Sequence, residues 1–83
     1  MNKFAALNLT KRANAKADAE GLFGVHRELF VFVATNGEQH FNSLMRRFSM
    51  HTIETWVGAM ADLMNRNLIF QMHSSSLYYA VAI

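Results

Sequence analysis

At 83 residues the chain is long enough for one hydrophobic core and too short for two independent ones. Apolar residues make up 52% of it and charged residues only 17%, which excludes a disordered chain, and the absence of cysteine excludes disulfides and thiolate metal sites. The formal net charge of +2 is unevenly placed. Residues 1–17 carry Lys3, Lys11, Arg12 and Lys16 with no acid, whereas the remainder sets four arginines against six acids and is mildly acidic. The overall basic balance therefore argues little for nucleic-acid binding by the folded part.

No stretch approaches the ~20 apolar residues that span a bilayer. The apolar patch at residues 4–9, interrupted by Asn8, is shorter than the core of a usual signal peptide. The expectation is a cytoplasmic protein with no membrane partner.

In chain order, residues 1–20 are rich in Ala, Asn and Lys and show no strong amphipathic period. They read either as a basic arm or as a short helix over residues 11–20, capped by Thr10 and ended by Gly21. Residues 25–35 place Leu29, Phe30, Val33 and Ala34 on one helical stripe, and the Asn36-Gly37 pair is the strongest stop signal in the chain. The valines of this segment also suit a strand, but the helix is the better reading. Residues 39–41 make a short strand. Asn42 then caps a helix over residues 43–48 that turns Leu44, Met45 and Phe48 inward and Arg46 and Arg47 outward.

Ser49, Met50 and His51 form a tight connection with Met50 as its buried plug. The clearest helix spans residues 52–65, where Ile53, Trp56, Val57, Met60, Leu63 and Met64 recur at steps of three and four. Thr52 is its cap, and Asn67 takes the left-handed position beyond its end. Two apolar runs at 68–72 and 77–83, separated by His73 and Ser74 to Ser76, read as a hairpin. Helices on one face of a small antiparallel sheet give an α+β domain over residues 21–83, preceded by the arm or extra helix of residues 1–20.

The segments FNSLMRRFSM and TIETWVGAMADLMNRNLIF resemble the helix, turn and second helix of winged helix-turn-helix domains in small bacterial and phage transcriptional regulators. LMNRNLI falls where such domains have Leu, three polar residues, Gly and two apolar residues. The resemblance covers about 58 residues once the helix at 26–35 is included. It implies a three-helix core with a C-terminal β-hairpin wing, and sequence-specific binding of double-stranded DNA. It departs from the usual pattern in two places. The stretch from Met50 to Trp56 is about a residue long, and the wing tip has Ser where Arg or Lys often stands.

On that resemblance, the second helix would read bases through His51, Thr52, Thr55 and Ala59. Arg46, Arg47, Lys11, Arg12 and Lys16 would contact phosphates, and Ser74, Ser75 and Ser76 of the wing would add hydroxyl contacts. The same residues have plainer readings as a cap, a solvated helix face and a polar turn. Arg66 suits the C-terminal end of a helix electrostatically, while Glu54 and Asp62 oppose close approach to phosphate.

Nothing in the sequence points to an enzyme, a cofactor or a metal: His26, His40, His51 and His73 lack ligand spacing. The acidic balance and the excess of bulky apolar residues favour another use of the fold, as a protein-recognition adaptor or inhibitor. Residues 77–83 are apolar on both strand faces, and Val31 and Phe32 widen the stripe of the helix at 25–35. This suggests a homodimer through those surfaces, unless Phe4, Leu7 and Leu9 fold back over them within one chain.

Overall fold

The computed structural model describes residues 3–73 and 75–83. The N-terminal segment is a single long helix, α1 (Lys3–Ala19), and Thr10 lies inside it rather than capping its start. Alanine and lysine favour the helix locally, and a Lys16–Glu20 ion pair of 3.1 Å spans its last turn. It ends in a Schellman motif. Gly21 has φ +69°, its N–H donates to Asp18 O at 3.1 Å, and the N–H of Leu22 donates to Ala17 O at 2.9 Å. The chain reversal buries Leu22, and Ala13 and Ala17 present a small-residue face that is fully buried.

Helix α2 (Gly24–Asn36) packs against α1 and buries Leu29, Phe30 and Val33, as the spacing predicts. Gly37, with φ +81°, ends it and donates to Val33 O. Strand β1 (Gln39–His40) leads directly into α3 (Phe41–Arg47). His40, not Asn42, is the cap of α3: its Nδ1 accepts the N–H of Asn42 at 3.0 Å. Within α3, Leu44 is buried as expected, while Met45 is partly exposed.

Helix α4 (Ile53–Asn65) is the most strongly amphipathic element and buries Trp56, Ala59, Met60 and Leu63. Thr52 caps it through Oγ, which accepts the N–H of Thr55 at 3.2 Å. Its end repeats the geometry of α1. Asn67 adopts φ 59°, donates to Met64 O, and the N–H of the buried Leu68 donates to Leu63 O at 2.9 Å. Strands β2 (Ile69–Gln71) and β3 (Leu77–Ala80) form the antiparallel hairpin, shorter than the apolar runs, β2 at both ends and β3 at its C-terminal end. β3 is the central strand of the sheet, with β1 paired on its other side through Gln39 opposite Tyr78 and His40 opposite Leu77.

The described residues form an α+β domain of four helices and a small antiparallel sheet, a shape compatible with a winged-helix-like module. Its core joins Leu29, Phe30, Leu44, Phe48, Trp56, Leu63 and Ile69, with Ala17 and Leu22 added from the N-terminal segment. The described residues contain no helix long and apolar enough to cross a membrane.

Candidate interaction surface

The connection between α3 and α4 is held by aromatic packing. Phe48 is buried, and its ring meets Phe32 edge-on at 6.0 Å and stacks on Trp56 at 6.4 Å. Trp56 in turn lies 5.2 Å from Phe41, whose ring is 6.5 Å from Tyr78 of the sheet. These rings fix the two helices and the sheet around one centre.

Phe48 is buried as expected, whereas Met50, expected to plug the turn, is 95% exposed. The turn Ser49–Met50–His51 projects from the body, held by the His51 N–H donating to Phe48 O at 3.0 Å. Ile53 was also expected in the core and is 58% exposed. It has the helical phase of the apolar stripe but stands in the first turn of α4. Ala59 is 3% exposed and cannot reach a base edge: its phase places it beside Met60 and Leu63 in the core. Met45, Met50 and Ile53 thus bring three exposed apolar side chains to α3, the turn and the start of α4.

The polar candidates divide. Thr52 and Thr55 are exposed at the start of α4, but their hydroxyls bond each other at 2.7 Å in addition to the cap. His51 is half-buried, with Nε2 3.7 Å from Glu28 Oε2. Arg46 is exposed and forms no ion pair among the described residues. Arg47 is spread over two rings, its guanidinium carbon 5.4 Å from the centre of Phe32 and 5.1 Å from that of Phe48. Lys11 and Arg12 are exposed on α1, and Lys16 is paired with Glu20. Ser75 is committed to the hairpin turn: its Oγ donates to Met72 O at 2.6 Å and accepts the N–H of Leu77 at 3.2 Å. Ser76 is exposed, and its carbonyl accepts the N–H of Phe41. Ser74 and the side chain of Phe4 lie outside the described residues.

The exposed face of α4 carries Glu54, Thr55, Gly58, Ala61, Asp62 and Asn65, with no Lys or Arg. Asp62 is tied to α2, where His26 Nε2 lies 3.0 Å from its Oδ2. Gly58 has open space where a Cβ would project, so packing does not require a glycine there.

Sequence reasoning missed the two arginines that fasten α1. Arg27 of α2 donates to Asp18 and Asn14, and Arg66 donates from Nη2 to Glu20 O at 2.5 Å. The acids at residues 18 and 20, closely following Lys11, Arg12 and Lys16, are the only local hint. The cleft beside α1 also bears on self-association. Leu9 lines it together with Val33, Ala34, Val81, Ala82 and Ile83, so α1 borders the surface that had suggested a dimer.

No protein-family model, curated protein or solved structure matches this chain. The described residues hold no cluster of three or more metal-ligating side chains.

Proposed function

We propose that this domain is a winged-helix-like protein-recognition module that engages a partner chain through the α3–α4 turn and the first turn of α4. One observation carries the reading: Met50 and Ile53 are 95% and 58% exposed beside a helix that bears Glu54 and Asp62 and no cation. Adjacent bulky apolar groups held in water mark interfaces, and methionine adapts to varied partner surfaces. Gly58 and Ala61 leave the exposed face of α4 low, which lets a partner backbone come close. A second copy of the chain is the simplest partner. Sedimentation equilibrium reads that case directly: a homodimer formed through this surface is weakened by Met50→Ser and Ile53→Ser.

Double-stranded DNA is the second reading, favoured by one arrangement. Arg46, Thr52 and Thr55 are exposed around a helix-turn-helix, and Lys11 and Arg12 are exposed on α1. Against it stand the acids of α4, facing a polymer with one negative charge per ~1.7 Å of duplex. Titration with a random-sequence duplex at about 50 and about 200 mM salt separates the readings. Protein recognition predicts no saturable binding at the lower salt. A DNA module predicts binding that falls by orders of magnitude at the higher one, and that result would overturn the first reading.

A further inference from the structure

On a different part of the molecule from the α3–α4 turn, Glu38, Gln71, Met72, His73 and Tyr79 line an open cavity of about 580 Å³. Its wall is aromatic. Tyr79 lies directly across the hairpin from Phe70, and the two rings stack at 5.4 Å with planes 24° apart. That stack holds the tyrosine ring in place while leaving the residue 40% exposed. Met72 adds a partly exposed, polarisable thioether.

The cavity also contains an uncommitted anion. Asp18, Glu20, Glu28 and Asp62 each face an Arg, Lys or His within 4 Å, whereas Glu38, like Glu54 on α4, forms no ion pair among the described residues. Among the described residues no Lys or Arg lines the cavity to neutralise it. Gln71 spends its amide N–H on Ser75 O at 2.6 Å, which leaves its side-chain oxygen as an acceptor. His73 contributes a ring that can accept or donate. An aromatic face, a free carboxylate and an amide oxygen around one space suit a cation that is flat and rich in N–H donors.

We infer that this cavity is a receptor for a guanidinium group, with the arginine side chain of a partner chain as its natural source. A guanidinium stacks on an aromatic ring and forks onto a carboxylate at the same time, which a compact ammonium does less well. The site goes beyond the proposed surface on the turn and stands or falls independently of it.

The test is an NMR titration of the whole chain with Nα-acetyl-arginine amide, following Glu38, Phe70 and Tyr79. Its neutral citrulline counterpart, agmatine and a short arginine peptide are run in parallel. Saturable shifts with a dissociation constant of ~1 mM are expected for the arginine probe and none for citrulline. The peptide binds more tightly than agmatine if a partner chain is the source. Agmatine binding as tightly as the peptide assigns the site to a free small cation and overturns that source. Glu38→Gln, an exposed change that leaves the fold intact, is expected to weaken binding at least tenfold. Absence of shifts, equal shifts with citrulline, or unchanged binding in Glu38→Gln overturns the receptor.

Discussion

The guanidinium of Arg27, in α2, donates from Nη1 to the carboxylate of Asp18, in α1, at 2.6 Å, and from Nη2 to Asn14 Oδ1 at 3.0 Å. One side chain of the core helix thereby holds two successive turns of the N-terminal helix. Arg27→Ala is expected to cost about 1 kcal/mol, because the ion pair is partly exposed and solvent screens it. In a domain of this size that lowers the melting temperature by ~4–8 °C. Asp18→Ala costs less, since the bond to Asn14 survives. Unchanged melting of Arg27→Ala would show that this bridge adds nothing to the packing of Ala13 and Ala17.

Two residues three apart on α4 are expected to behave in opposite ways. Trp56 is buried at the centre of the aromatic cluster, and Trp56→Ala should cost ~3–5 kcal/mol, a large share of the stability of a small domain. Ile53→Ala should change stability by less than ~0.5 kcal/mol, because little of that side chain is removed from water. Urea unfolding of the two variants reads both values.

Arg46 and Arg47 are neighbours with different duties. Arg47→Ala removes a cation from above two rings and is expected to destabilise by ~0.5–1 kcal/mol. Arg46→Ala is expected to be neutral, so only Arg46 is a clean probe of binding. Equal melting temperatures for the two variants would contradict this.

Asn67 holds φ 59°, which any side chain adopts at some cost and glycine adopts freely. Asn67→Gly is expected to raise stability by a few tenths of a kcal/mol, measured by thermal unfolding. A loss would mean that the asparagine side chain contributes a bond of its own.

Much of the fold was legible because local signals and periodicity agreed. The stripe of α4 located Trp56, Met60 and Leu63, the Asn36-Gly37 pair ended α2, and Gly21 and Asn67 took the left-handed positions where helices stop. The errors fell where periodicity says least. Ile53 has the phase of the core but stands in the first turn of its helix, and Ala59, expected to face outward, lies one turn before Leu63 and is buried with it. Phe48 is buried as its helix predicts, but Met50, expected to plug the turn after it, is exposed, since a tight turn has no period to decide which apolar residue points in. Helix α1 was the least legible element. It packs through Ala13 and Ala17, which leave almost no amphipathic trace, and it is fastened by arginines distant in sequence. The candidate surface was legible in its polar residues and not in its apolar ones, because exposure of Met50 and Ile53 is a tertiary property.

The most direct test of the proposed role is capture on the immobilised chain from a nuclease-treated extract of its native cells. Wild type is compared with the Met50→Ser/Ile53→Ser double variant and with Arg46→Ala. The account predicts a protein retained by wild type and by Arg46→Ala and lost from the double variant, whose fold circular dichroism shows to be intact. Retention unchanged in the double variant, or seen only without nuclease and lost with Arg46→Ala, would contradict it.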